Sequence, residues 1–238
     1  MTMGLALHPQ HHEEMRVKGF TIFPSVFSTA EMAELDKSLD NLASREGKSR
    51  DGAVVFMQRV AERCQDVKSF ARRAELVAIA TAFLGPDVDL YFNQHVVKNP
   101  GPQEAFSWHQ DDAYGPVEPT PYLTVWVSMT ESTTANGCVW ALPGSWHHGL
   151  LNHERSSFGL SCHSLDDPDQ GVPIVASAGD IACFWSLTVH KSGPNLTNTP
   201  RKAMILQYCR PGLRHKSTGM LISSRIPIAR GGQRYEEV

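Results

Sequence analysis

From Val88 onward the chain is a succession of short β-prone runs, each closed by Pro, Gly, Asn or Asp. Leu90–Lys98, Tyr122–Thr130, Gly137–Leu142, Val172–Ala176, Asp180–Trp185 and Lys202–Cys209 each read as a strand. Strands this short cannot bury an apolar face alone, so they must pair into sheets that pack face to face or close on themselves. A sandwich or jelly roll is the expected solution. Ahead of these runs the pattern is helical. Ser28-Thr29-Ala30-Glu31 is a capping box, and Met32, Leu35, Leu39 and Leu42 recur at helical spacing, which predicts a helix from about Thr29 to Ser44. Glu46–Asp51 is a polar loop, and a second helix is expected from Asp66 to Gly85-Pro86 with Phe70, Leu76, Ile79, Phe83 and Leu84 on its apolar face. The expected class is mainly β with flanking helices. It reads as one domain over residues 1–238, with a helical buttress at about 28–86 and a jelly-roll core at about 88–210.

Composition narrows the function. Hydrophobic residues make up 41% of the 238, enough for a core, and 22 Lys+Arg against 25 Asp+Glu leave no basic surplus for nucleic acid. The longest apolar stretch, near Leu76–Leu84, is interrupted by Thr81 and is short of a membrane span. The opening residues turn polar and His-rich, unlike a signal peptide, so a soluble, cytoplasmic protein is expected, with no membrane partner. Cys64, Cys138, Cys162, Cys183 and Cys209 are odd in number and widely spaced, which reads as buried thiols rather than disulfides or a zinc cluster. Oligomeric state leaves no mark on the sequence.

Two long irregular stretches, Asn99–Pro121 and Gly144–Gly171, are where function is expected. The first holds Trp108-His109-Gln110-Asp111-Asp112. In extended chain, residues two apart share a face, so His109 and Asp111 can reach one ion while Gln110 faces away. A second histidine would complete two His and one carboxylate, a set suited to non-haem Fe(II). His190 is the candidate: it closes the apolar pair Asp180–Trp185 and Leu187–Val189, just before the turn Lys191-Ser192-Gly193-Pro194-Asn195. Arg201 opens the following strand. If that strand neighbours His190, its guanidinium can grip the carboxylate of a small acid, and Ser192 can add a hydroxyl.

Trp108-His109-Gln110-Asp111, Asn136-Gly137-Cys138 leading to Leu142-Pro143-Gly144-Ser145-Trp146, and His190 to Asn195 with Arg201 together resemble the phytanoyl-CoA dioxygenase family. Gly19-Phe20-Thr21-Ile22-Phe23-Pro24 is similar to the family's opening, so the resemblance runs from about residue 15 to 210. It implies a cupin-like double-stranded β-helix and an oxidoreductase using Fe(II), 2-oxoglutarate and O2. It implies that His109, Asp111 and His190 are the catalytic metal ligands, that Arg201 and Ser192 bind the distal carboxylate of 2-oxoglutarate, and that Trp126 lines that pocket. Gln94 resembles a polar residue at the iron-facing end, and Lys98 is a weaker candidate beside it. Related halogenases lack the metal-binding carboxylate, so Asp111 disfavours halogenation. Hydroxylation of an unactivated C–H bond, with succinate and CO2 as co-products, is the implied default; desaturation, cyclisation and epimerisation are its alternatives.

Other residues carry plainer readings. His95 reads first as a core histidine, His11-His12 as part of a solvated tail, His147-His148 as loop residues, and Asp112 as an acid that backs the ligands or faces solvent, on the face away from the metal. Candidate substrate walls are Phe56, Met57, Phe106, Tyr114 and the loop His147–Gly171, without the basic cluster a CoA thioester would ask for. A small or medium natural-product-like molecule, as in secondary metabolism, is therefore the expected substrate. The competing class is a catalytically silent jelly-roll binding protein, which would be expected to lose a ligand or the arginine. A zinc hydrolase would leave Arg201 and Ser192 unexplained.

Overall fold

The β-rich runs pair into two facing antiparallel sheets, seen in a computed structural model that describes residues 5, 7–102, 105–156, 158–162 and 171–236. The strands used below are β1 (Phe20–Phe23), β2 (Val54–Gln58), β3 (Val88–Lys98), β4 (Phe106–His109), β5 (Leu123–Ser128), β6 (Val139–Ala141), β7 (Val172–Ile174), β8 (Ile181–Trp185), β9 (His190–Ser192), β10 (Arg201–Cys209) and β11 (Ile226–Arg230). The larger sheet has the order β1-β8-β5-β10-β3-β11, continued by the short strand Gln233–Arg234, and β2 occupies the rest of the β3 edge. The smaller has the order β7-β6-β9-β4. This is a double-stranded β-helix. The α-helices among the described residues are α1 (Pro9–Val17), α2 (Thr29–Arg45), α3 (Gln65–Ala71) and α4 (Ala74–Leu84).

Strand alternation divides the larger sheet between two cores. Val125, Val127, Cys183, Met204, Leu206 and Tyr208 join Met32, Leu35, Leu39 and Leu42 of α2 in the layer between sheet and helices. Trp126, Ala182, Phe184 and Ala203 point the other way, against Val139, Ala141 and Ile174 of the smaller sheet. All of β5 is consequently buried. The capping box at Ser28 forms as expected: its Oγ accepts from the Glu31 amide at 3.2 Å, and Glu31 accepts from the Ser28 amide at 2.8 Å. All five cysteines are buried thiols outside any disulfide. No helix among the described residues is long and apolar enough to cross a membrane.

Four elements depart from the sequence expectation. The expected solvated tail around His11-His12 is the helix α1, pinned by buried Met15, whose carbonyl accepts from Trp185 Nε1 at 3.1 Å. His11 packs on Phe23 with ring centroids 4.2 Å apart, whereas His12 stays exposed. One apolar anchor gives no helical periodicity to read. The second helix breaks into α3 and α4 because Arg73 takes an extended backbone as the N-cap of α4, and buried Arg72 donates to the Pro227 carbonyl at 3.1 Å. β2 is a mostly half-exposed edge strand, and β11 carries Pro227 at a register shift, so neither shows clean alternation. His95 is a core residue as first read, 3.4 Å from Arg50 Nη2.

Leu39→Ala removes a fully buried side chain from the helix–sheet layer and should cost about 2–5 kcal/mol in urea unfolding, whereas Ser28→Ala should cost about 1 kcal/mol. Burial lowers the His95 pKa from 6.5 to about 3, with the Arg50 charge adding to the effect. The unfolded chain therefore takes up this proton first on acidification, and the contribution to stability falls as pH drops from about 6.5 toward 3. His95→Gln should flatten that part of the stability–pH curve; an unchanged slope would assign it to other groups.

Candidate functional site

His190 and His109 are register partners on adjacent antiparallel strands β9 and β4, so their side chains leave the sheet on the same face, with ring centroids 4.3 Å apart. Each ring is oriented by its own strand. His109 Nδ1 lies 2.8 Å from the Ser107 carbonyl and His190 Nδ1 lies 3.0 Å from the Thr188 carbonyl. A carbonyl only accepts, so both Nδ1 atoms carry the proton and both Nε2 lone pairs face inward. Burial, with His190 beside it, lowers the His109 pKa to about 3, which keeps that imidazole in its neutral, ligand-competent form.

Asp111 arrives by a tighter path than the extended chain expected from sequence. β4 ends at His109, and Asp111 opens a single 3-10 turn to Tyr114. The turn keeps Asp111 on the histidines' side, with Oδ1 3.6 Å from His190 Nε2. Ligand atoms of His109, Asp111 and His190 all lie within 4.8 Å of one another. Gln110 does face away: its amide donates to the Leu187 and Gly149 carbonyls at 2.6 and 2.8 Å. Asp112 also points elsewhere but is buried rather than solvent-facing, and desolvation raises its pKa to about 6.

Two residues that sequence reading passed over hold the carboxylate. Thr124 Oγ1 donates to Asp111 Oδ2 at 2.6 Å and Gln207 Nε2 donates to the same oxygen at 3.0 Å, which leaves Oδ1 toward the histidines. Thr124 and Gln207 are register partners on β5 and β10. A signal existed: Gln207 lies on the face of Arg201, Ala203 and Ile205, and a polar residue on an inward face of a buried strand needs a partner.

At the other end of that face Arg201 pairs in register with Lys98 of β3. Both are buried, and no carboxylate among the described residues is ion-paired with either. Arg201 donates Nη2 to the Gly137 carbonyl at 3.0 Å, stands 5.7 Å from the Trp126 ring centroid, and leaves Nε without a partner. Lys98 Nζ donates to Ser192 Oγ at 2.9 Å and to the Gly193 carbonyl. The Ser192 hydroxyl proton thus remains free to donate. Burial and the neighbouring Arg201 lower the Lys98 pKa to about 7, and burial lowers that of Arg201 to about 10. An anion seated here would relieve both. Gly137 is required at this point: it has φ +79°, and a Cβ would strike the Gly193 carbonyl that Lys98 uses.

The expectation that the Arg201 strand neighbours His190 is corrected. β10 belongs to the larger sheet and β9 to the smaller, so Arg201 meets the His190 side across the inter-sheet space. For the same reason His190 opens a strand of the second sheet instead of closing the β8 run. One cavity is lined by His109, Asp111, His190, Ser192, Arg201, Trp126 and Gln94, so all seven site residues expected from sequence converge. A second, of about 530 Å³, shares His109 and Asp111 and opens between Phe56, Phe106, Tyr114 and Phe158. Met57 is not a wall: it alternates with Phe56 and faces the helix layer. Within the loop His147–Gly171, His147 and His148 are exposed and Phe158 and Gly159 reach the cavity, while 157 and 163–170 lie outside the described residues.

A model of the family described as Phytanoyl-CoA dioxygenase (PhyH) matches residues 15–203. A probable alpha-ketoglutarate-dependent hypophosphite dioxygenase of Stutzerimonas stutzeri is 24% identical over 222 residues, covering 84% of this chain and 77% of the relative. Matches to phytanoyl-CoA dioxygenases of Caenorhabditis elegans, Arabidopsis thaliana and rice reach only 36%, 42% and 42% of those proteins' length. In fold, the chain is similar to EvdO2 of Micromonospora carbonacea var. aurantiaca complexed with 2-oxoglutarate, with a TM-score of 0.75 and 22% identity over 92% of this chain and 97% of that one. It is also similar to the epimerase SnoN in complex with Fe3+, alpha ketoglutarate and a nogalamycin compound, with a TM-score of 0.74 and 20% identity over 96% and 95%.

If Thr124 and Gln207 orient the carboxylate, Gln207→Leu should weaken metal binding about 10–100-fold in an anaerobic Co(II) titration followed by absorbance. Wild-type affinity in that variant would reduce the contact to packing.

Proposed function

This chain belongs to the phytanoyl-CoA dioxygenase family and is a 2-oxoglutarate-dependent dioxygenase that uses Fe(II) and O2, and we propose that it hydroxylates an unactivated C–H bond of a small or medium-sized natural-product-like molecule, releasing succinate and CO2. The observation that carries the reading is that one cavity is lined by both the His-Asp-His cluster and the buried Arg201, which pairs in register with buried Lys98 and has no carboxylate partner among the described residues. A catalytically silent binding protein has no need of both. In this reading the whole chain works as a single oxygenase domain.

His109, Asp111 and His190 would hold the metal through two imidazole Nε2 atoms and one carboxylate oxygen, a donor set that fits Fe(II) and leaves further positions for 2-oxoglutarate and O2. When bound, Fe(II) couples oxidative decarboxylation of 2-oxoglutarate to oxidation of a substrate C–H bond. The protein's part is placement. Arg201 grips the distal carboxylate of 2-oxoglutarate through its unpartnered Nε, Lys98 supplies a second positive charge, and Ser192 donates its hydroxyl. Trp126 walls the cosubstrate on one side and Gln94 stands at the boundary with the outer cavity, which both pockets share. Because His109 and Asp111 line both cavities, a substrate in the outer one is presented to the metal while the cosubstrate is enclosed in the inner one.

The outer cavity's lining supports the substrate class. Its volume of about 530 Å³ is in the range for a drug-sized molecule. Its walls are aromatic, with the amides of Gln58, Gln94 and Gln207, and its one cation among the described lining residues is Arg59. That guanidinium is already engaged by Glu62 at 3.3 Å and Ser224 at 3.2 Å. The phosphates of a CoA thioester, or a small inorganic anion of the kind named for the Stutzerimonas relative, would find little compensation there.

Asp111→Ala should abolish 2-oxoglutarate-dependent succinate release while leaving the thermal unfolding cooperative; equal turnover in both proteins would sink the metal assignment. Arg201→Ala removes a charge-assisted contact worth about 1.5–3 kcal/mol and should raise the 2-oxoglutarate requirement about 10–100-fold. An aerobic substrate screen read by mass separates the outcomes: one oxygen gained supports hydroxylation. Loss of two hydrogens points to desaturation or cyclisation, and an unchanged mass points to epimerisation.

A further inference from the structure

Two tyrosines in the outer cavity have no role in the chemistry above. Tyr122, immediately before β5, is 3% exposed, yet its hydroxyl makes no hydrogen bond with any described residue. Tyr91 of β3 lies against it edge-on, ring centroids 5.3 Å apart, and its hydroxyl is likewise without a partner. Their rings are anchored in a small apolar cluster with Val117, Cys209, Leu213 and Ile222, so the pair is held rigidly. Both line the cavity wall that also carries His109 and Asp111. Elsewhere in this protein a buried phenol does find an acceptor: Tyr208 donates to the Ala71 carbonyl at 2.8 Å. The Tyr91 and Tyr122 side chains line the cavity and their hydroxyls are not sealed from it, so a ligand acceptor there would take the place of solvent on two pre-positioned donors.

We propose that Tyr122 and Tyr91 are specificity-determining residues that donate hydrogen bonds to a neutral oxygen acceptor, a ketone or similar carbonyl, on a ring-bearing substrate. The inference rests on the oxygenase reading for its use of the cavity as the substrate chamber. A neutral acceptor is favoured over a carboxylate because Arg59, the one cation among the described lining residues, is engaged by Glu62. Burial, with the nearby Asp112, raises both phenol pKa values, so the hydroxyls stay protonated as donors. Arg59 opposes this at Tyr91 but is bound to Glu62. The ring requirement follows from the faces of Phe56, Phe92, Phe106 and Phe158 around the same space.

The test compares three probes of one skeleton, 1-tetralone, tetralin and tetralin-1-carboxylate, binding to the full chain loaded with Co(II) and 2-oxoglutarate, followed by calorimetry or ligand-observed NMR. The ketone should bind about tenfold more tightly than the hydrocarbon and the carboxylate, as one or two neutral hydrogen bonds allow. Tyr122→Phe and Tyr91→Phe should each erode that preference several-fold without changing tetralin affinity. A ketone preference that survives in both variants, its absence in the wild type, or tighter binding of the carboxylate overturns the proposal. Binding of 2-oxoglutarate to the Co(II)-loaded wild type, measured by calorimetry without any probe, separates the two readings. Its absence would count against the oxygenase assignment and leave the ketone result standing.

Discussion

His109 and His190 face each other across one rung of an antiparallel ladder, and the His-Asp-His cluster is built on that rung. Register pairing brings two imidazoles within reach of one ion without any long side chain having to be ordered. The Ser107 and Thr188 carbonyls, each two residues before its histidine in sequence, then set both tautomers. The turn after His109 returns Asp111 to the same side, and Thr124 and Gln207 fix which of its oxygens points inward. Most of the ligand geometry is thus backbone geometry.

Charge is arranged along the same inner face. One end, at Asp111, is acidic and tied to neutral donors; the other, at Lys98 and Arg201, is basic and has no carboxylate to balance it. A buried pair of like charges is unfavourable on its own, and its persistence in a well-packed core argues for a ligand that completes it. 2-Oxoglutarate, a dianion with one end for the metal and one for this rung, matches that polarity. The Gly137 turn, held by Asn136 accepting from the Thr133 amide at 2.7 Å, brings its own carbonyl to Arg201 and leaves room for the Gly193 carbonyl to reach Lys98, which limits the cost until the anion arrives.

The jelly roll separates two tasks that a single pocket would confuse. The inter-sheet space is narrow at the Arg201 end and widens at the other, where aromatic side chains from β2, β4 and the Tyr114 and Phe158 segments converge. Phe106 and Phe158 meet at 4.6 Å and Phe106 and Phe56 at 5.7 Å, so three segments distant in sequence form one aromatic rim. The metal cluster lies on the wall common to both spaces.

Strand content, the α2 helix with its capping box and the family were legible in the sequence, because each is carried by local pattern: alternation, capping chemistry, or a compact motif such as Trp108-His109-Gln110-Asp111. The same motifs named all three metal-binding candidates and Arg201. What sequence could not express was which strands face one another. Arg201 was expected beside His190 on a neighbouring strand; it reaches that side from the opposite sheet, because eight strands and four strands fold over each other. Thr124, Gln207 and the Lys98–Arg201 rung owe their meaning to cross-strand register, and Tyr91 and Tyr122 to their place on a cavity wall. Register and burial arise from contacts between residues tens of positions apart, so local pattern determined the chemistry available, and only the tertiary structure decided how it is aimed.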